Sequence, residues 1–383
     1  MDRLVGTHAY DNWRAYREGK PIIVSFEYIF YSDALLNGDI TTGLDPCQFF
    51  NLTLPSVRVG EVRPAVALRL GLYIGFIAPS FDKTDASRYH GGSIADEIGA
   101  LASLLVGVRI RAGGRTRWFD DAEDPKGRPI AWDLQAYHAL NVGPEGFVLP
   151  GVSSLHSLEP LRGIKSYVDL SPEQAIALTK AARLYQEALW LAESEPNLAW
   201  LLFVSAIETA ATFWDNSKVS PLDRLKASRP KFVTYLQNTN IPDLSTRVAE
   251  EFKESIGSAK KFIDFLITFL PPPPIKRPGE WGQVIWDQNN LSKIFRMIYK
   301  YRSEALHDGR PFPAPMCEPP FKHETWDAVA ERPGATAVSV HGNTWLVKDT
   351  PMLLHTFEYI VRNALNSWWD SMLGKGQPAA KDI

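Results

Sequence analysis

Two kinds of apolar spacing divide the chain near residue 165. Before it, β-branched and aromatic residues come in short runs, such as Pro21–Phe30 and Ser56–Val62, set between glycine-rich and proline-rich turns. Such runs read as strands. Val106–Arg111, then Gly113-Gly114, then Thr116–Phe119 predicts a hairpin, preceded by a helix over Ile94 to Leu105. After residue 165 the apolar positions recur at spacings of three and four, which is helical. Ser171-Pro172-Glu173-Gln174 is a capping box with proline at the first helical position, and it opens a helix to about Glu193. Pro196 starts a second helix running toward Asp215. A third extends from near Ser245 through Phe252, Ile256, Phe262 and Phe265 to Leu270, where consecutive prolines stop it. A fourth helix, Val284 to His307, and a last, Met352 to Leu373, flank a small hairpin of Ala335–Val340 and Thr344–Val347. The pattern predicts an α+β chain: a mixed α/β domain over 1–165 and a helical domain with a β-hairpin insertion over 166–383.

The most informative residues are Arg302-Ser303-Glu304-Ala305-Leu306-His307, at the end of the fourth helix. Its apolar stripe of Leu291, Ile294, Phe295 and Ile298 continues through Tyr301, Arg302 and Ala305, so Arg302 falls on the packing face. A guanidinium there must find acceptors or an anion. His307, five residues on, is rotated by about 140° in an unbroken helix, and convergence with Arg302 needs the helix to end there. Gly309 and Pro311 supply that end. The apolar helix after Pro196 carries a single internal charge, Glu208. A carboxylate in such a helix is costly unless paired, and Arg302 is the natural partner. Either Glu208 orients Arg302 and His307, or it is a structural ion pair, or it sits at the helix's solvent edge.

This arrangement resembles the R-x4-6-H signature of the HEPN superfamily of helical RNA-cleaving and RNA-binding proteins. Ile298-Tyr299-Lys300-Tyr301 before the motif, Asp308-Gly309 after it, the upstream helix with its one glutamate and Lys260–Phe265 are together similar to the C-terminal domain of ApeA-like HEPN proteins, over roughly residues 166–383. The resemblance implies an all-α HEPN-like bundle and metal-independent endoribonuclease chemistry, in which a ribose 2′-hydroxyl attacks the adjacent phosphate. Arg302 would stabilise charge on the phosphate oxygens, His307 would move a proton, and Glu208 would be the polar residue facing the motif. Ser303 stands where HEPN nucleases often carry a larger polar residue. The resemblance further implies a homodimer with facing motifs, no cofactor, and a bacterial antiphage or toxin effector whose first half serves as sensor or regulatory contact. A HEPN-like module that binds RNA or a protein without cutting is the alternative.

Composition narrows this picture a little. The 383 residues, 45% of them hydrophobic, suit two ordinary cores better than one. A net charge of −3 excludes a generally basic nucleic-acid binder. RNA contact must come from a local patch, for which Ser303, Lys300, Arg296 and Arg310 are candidates, with Lys293 beside them. A solvated helix face is the competing reading for Lys293, Arg296 and Lys300. Cys47 and Cys317 are far apart and in no metal-like or redox-like spacing, and the histidines are scattered, so no metal site is expected. His323-Glu324 lacks a second histidine, and no phosphate-binding glycine loop occurs. His90–Ser93 reads as a turn rather than an anion cradle, and the run from Asp120 to Asp124 as a solvated acidic loop rather than a cation site. The start of the chain lacks a secretory pattern, and the apolar stretches Pro64–Pro79 and Phe262–Leu270 are too short to span a bilayer. A cytosolic protein without membrane contact is expected.

Overall fold

The computed structural model describes residues 4–52, 60–75, 84–120, 124–130, 140, 142–216, 220–239, 241–252, 257–334, 336–340 and 342–375. The run Val24–Ser32 forms strand β1, the middle of a five-stranded antiparallel sheet. With β3 (Cys47–Asn51), β4 (Arg63–Leu72), β5 (Arg111–Asp120) and β6 (Asp124–Pro129), the order is β3-β4-β1-β5-β6. The short β2 (Leu35–Asn37) pairs in parallel with β7 (Leu155–Ser157) outside that sheet. Period-two alternation sorts the faces of the large sheet. Phe30, Phe49, Val66, Leu68 and Leu70 enter the main core, while Ile29, Tyr31 and Ala67 gather with Phe50 in a separate small cluster.

Helices α1 (His8–Arg17) and α2 (Ile94–Val106) pack on each other, and α2 contacts β5. On its other side α2 meets α3 (Pro172–Leu191) and the C-terminal helix α10 (Leu354–Met372). Flanked in this way, α2 is buried almost all round. The second half is built on α4 (Pro196–Asn216), which packs against α3, α8 (Ser258–Thr268), α9 (Gln288–His307) and α10. Among the described residues α4 is the one helix with the length and apolarity of a membrane span. Its Trp200, Phe203, Val204, Ile207 and Ala211 are fully buried in this packing, and Trp200 is stacked between Phe312 and Phe357, as befits a central helix. Short helices α5 (Pro221–Ser228), α6 (Pro230–Gln237) and α7 (Leu244–Glu251) make a satellite cluster around Leu225, Val233 and Ala249. Strands β8 (Ala337–Val340) and β9 (Asn343–Leu346) form the expected hairpin before α10.

The chain is α+β, and the change of pattern at residue 165 is a change from sheet to helix. It falls inside a 3-10 segment, Glu159–Asp169, and one apolar cluster runs from Ala9 to Trp369 across it. Two local expectations are corrected. Gly113-Gly114 is no hairpin turn, because β5 passes straight through it and pairs with β1. A Cβ on Gly113 would lie 2.4 Å from the Tyr31 ring and 2.9 Å from the Ile29 carbonyl, at a place where the β1–β5 register is irregular. The glycine therefore serves close approach of strands. The long helix expected from Ser245 to Leu270 is two, α7 and α8, with Gly257 at φ +76° preceding α8. Glycine reaches that conformation without steric cost, and it breaks helical continuity. Residues 56–59 of the expected strand Ser56–Val62, residues 121–123 of the acidic run, residues 253–256 of the expected third helix, and Ala335 and His341 of the hairpin lie outside the described residues.

Arg109, on the link from α2 to β5, is fully buried and joins both halves. Its Nη1 donates to Asp33 Oδ2 (2.9 Å) and Ser153 Oγ (3.2 Å), its Nε to the Leu189 carbonyl of α3 (2.7 Å), and its Nη2 to Glu193 Oε1 (2.5 Å). Glu193 in turn accepts from the Val148 and Leu149 backbone amides. Arg109→Ala leaves two buried carboxylates without their cation and should lower stability by about 3–5 kcal/mol. Arg109→Lys should recover only part of it, since an ammonium cannot reproduce the planar fork. Urea unfolding checks both; a loss under about 1 kcal/mol for Arg109→Ala would show that the network is not structural.

Candidate functional site

Asp287 caps α9 by accepting from the Asn290 amide (2.9 Å), and Leu291, Ile294, Phe295 and Ile298 bury one face of the helix. The same face presents Arg302 to α4. Its Nη2 donates to Glu208 Oε2 at 2.7 Å, while the Tyr299 hydroxyl donates to Glu208 Oε1 at 2.9 Å. The carboxylate is thus held by donors one helical turn apart. The Arg302 guanidinium also lies 5.7 Å from the Tyr299 ring centre, within cation–π reach. Burial, with Glu208 beside it, pushes the Tyr299 hydroxyl up to about 12, so it stays a donor across the neutral range. The Glu208 and Arg302 side chains keep 19% and 21% of their exposure. The pair therefore sits at the edge of the core, screened by solvent on one side.

His307 is not part of this group. The helix runs unbroken to His307, and Gly309 at φ +63° follows the end. Helical rotation therefore carries His307 about 140° away from Arg302. It is exposed, and among the described residues no hydrogen bond or ion pair joins it to Arg302 or Glu208. Glu208 orients the arginine alone. His307 instead shares the solvent face with Lys293, Arg296 and Lys300, whose spacings of three, four and seven place them on one stripe. That stripe is about 20 Å long. Glu304 lies within it and takes Lys300 Nζ at 3.4 Å and Arg310 Nη1 at 3.5 Å, which halves the local positive charge of those two cations. Ser303 is half-buried on the flank, with no side-chain hydrogen bond among the described residues.

Lys300, Glu304 and Arg310 line a cleft of about 910 Å³ with Tyr301, whose hydroxyl donates to the Asp349 carbonyl (2.7 Å). Burial, with Asp349 and Glu304 nearby, pushes the Tyr301 hydroxyl up to about 12. The far walls come from residues 143–148 of the first half and from the β8–β9 hairpin.

Elsewhere the fold assembles what sequence spacing concealed. His8 and His90, 82 residues apart, meet at Glu97 of α2, and their ligand atoms all lie within 4.8 Å of one another. Burial alone would raise the Glu97 carboxyl. Hydrogen bonds from His8, His90 and the Ala9 amide instead hold it at about 2. No local pattern could have shown this, because the three residues come from α1, a turn and α2. The suggested anion cradle at His90–Ser93 is filled by the chain itself: the Ser93 amide and hydroxyl both donate to Asp96 Oδ2 at 2.8 Å. Cys47 and Cys317 are both free thiols.

The Glu208–Arg302 pair is open to a double-mutant cycle. With one fifth of each side chain exposed, the coupling should fall between a surface and a buried pair, at about 1–2 kcal/mol. Tyr299→Phe should itself cost about 1 kcal/mol, since it removes one donor from the half-buried carboxylate. Additive effects of Glu208→Ala and Arg302→Ala in urea unfolding would show that the contact stabilises nothing.

No protein-family model, no curated protein and no solved structure matches this chain, so its chemistry rests on these side chains.

Proposed function

We propose that residues 166–383 form a HEPN-type, metal-independent endoribonuclease acting in the cytosol, with Arg302 as the phosphate-stabilising cation and His307 as the proton carrier. The observation that carries this reading is the 2.7 Å contact by which Glu208 of α4 fixes Arg302 on α9. A guanidinium locked in place stabilises developing charge without reorganising at the moment of reaction. In the reaction the RNA 2′-oxygen bonds to the adjacent phosphorus and loses its proton. The bond from phosphorus to the 5′-oxygen breaks, and that oxygen gains a proton, giving a 2′,3′-cyclic phosphate and a 5′-hydroxyl. Arg302 would neutralise the non-bridging oxygens, and the His307 imidazole, able to donate and to accept, would serve either proton transfer.

Arg302 and His307 face apart on one helix, so the reading places the working site between two copies, with the arginine of one chain near the histidine of the other. A twofold axis along the α9 helices supplies this arrangement. Lys293, Arg296 and Lys300 would then track the RNA backbone, with Arg310 and Ser303 at its edge. The cleft closed by residues 143–148 gives the first half direct access to Lys300 and Arg310. That supports a sensor or restraint role for it, as in an antiphage or toxin effector. A second reading, an RNA-binding module that does not cut, is favoured by the lack, among the described residues, of a hydrogen bond or ion pair from His307 to Arg302 or Glu208.

Incubation with labelled RNA in EDTA separates the two. Cleavage that leaves a cyclic phosphate and falls by ~100-fold or more in Arg302→Ala and His307→Ala supports the nuclease. Retention of RNA without cleavage by the wild type supports the binding module. Mixing the two inactive variants should restore about a quarter of the wild-type rate, because half the dimers are mixed and each has one of two sites intact. Mixtures as inactive as their parents would overturn the shared site.

A further inference from the structure

We propose that His8, His90 and Glu97 bind one divalent transition-metal ion, of which zinc fits best, and that this ion clasps the start of α1 to α2. The geometry is convergent. One carboxylate oxygen, Glu97 Oε1, faces both rings, at 2.7 Å from His90 Nε2 and 3.5 Å from His8 Nδ1. The His8 amide also donates to Oε1 (3.1 Å) and the Ala9 amide to Oε2 (2.6 Å), which fixes the carboxylate at the N-terminus of α1. Two imidazole nitrogens and one carboxylate oxygen aimed at a single point are a borderline-soft ligand set, matched to zinc and its neighbours and poorly matched to magnesium or calcium, which take oxygen ligands.

Bonds of about 2.0–2.2 Å place tetrahedral ligand atoms roughly 3.4 Å apart. The His8 to Glu97 separation is already at that value. The His90 to Glu97 separation must open by about 0.7 Å to reach it. His8, with 56% of its side chain exposed, is free to adjust and leaves a fourth position open to solvent. The His90 side chain is 4% exposed and Glu97 is fully buried, so two of the three ligands are held by packing. His90 Nδ1 is buried with no hydrogen-bond partner. Without an ion the Glu97 carboxylate, which can only accept, takes the Nε2 proton; a cation on Nε2 would displace that proton and leave the other on Nδ1. Gly91, at φ +81°, turns the chain directly after His90 and lets the ring reach Glu97 ahead of α2.

The test uses the full chain, stripped with EDTA and dialysed, then titrated with zinc chloride by calorimetry and followed in thermal unfolding. One ion per chain, a melting temperature raised by zinc and unmoved by magnesium, and affinity reduced by roughly a hundredfold in His8→Ala and His90→Gln are expected. Cobalt(II) should give the intense visible bands of a tetrahedral site in the wild type alone. His8→Ala, at an exposed position, keeps the test decisive should His90→Gln fail to fold. Absence of saturable zinc binding, or binding unchanged in His8→Ala, would overturn the site.

Discussion

Arg109 is the residue on which the two halves of the molecule depend. It is a permanent cation with no exposure to water, and its donors reach Asp33 beside the sheet, Ser153 on the following link, and both the Leu189 carbonyl and Glu193 around the end of α3. Apolar packing between α2 and α3 is non-directional and would tolerate sliding. A buried fork of hydrogen bonds does not, because any shift leaves a charge unpaired in a low-dielectric interior. The network therefore sets the register of the sheet layer against the helices, and through Glu193 it also ties down residues 148–149, of which Val148 borders the cleft below α9.

α9 divides its chemistry by face. Its inner stripe holds the core and delivers Arg302 to Glu208, and its outer stripe displays cations and ends in His307. This division follows from helical geometry, since a spacing of five residues cannot place two side chains on one line while the helix is intact. A proline or glycine inside the motif would have redirected the histidine. The only glycine, Gly309, comes after the helix has closed. Arg302 and His307 of one helix are thus kept apart, and the proposed site would join them through a second copy meeting the exposed stripe.

Much of this was legible from sequence, for identifiable reasons. The helices α3, α4 and α9 were readable because long periodic segments with proline or capping residues at their starts carry redundant signals, and α10 from the length of its periodic face alone. Glu208 as partner of Arg302 followed from charge economy: one carboxylate in an apolar helix, one guanidinium on an apolar stripe. What could not be read was contact between elements distant in sequence. Arg109 stood in a run that looked like a strand, His8 and His90 had no ligand spacing, and Gly113-Gly114 imitated a turn while serving the crowding of Tyr31 against β5. α1, α5 and α6 were missed because each is only 8–10 residues long, too short for periodicity to stand out. The burial expected of the Glu208–Arg302 pair was too strong, since sequence gives the face of a helix and not the depth at which it lies.

The pairing that orders Arg302 also constrains any anion that approaches it. Glu208 occupies Nη2, and Nε is buried without a partner, so an incoming phosphate is left chiefly the outer edge of the guanidinium. A phosphate there would also sit within several ångströms of the Glu208 carboxylate, where like charges repel by about 4 kcal/mol at 4 Å in a surface-like dielectric of about 20. One arginine cannot offset this and also favour a transition state. Tyr299 reduces the difficulty by donating to Glu208 and drawing its charge toward Oε1, away from the arginine. The remainder has to come from further cations, and on one chain these lie on the opposite face of α9. The electrostatics of the inner pair and the helical rotation thus agree with the proposed shared site, in which the cationic stripe of a second copy would lie beside Arg302.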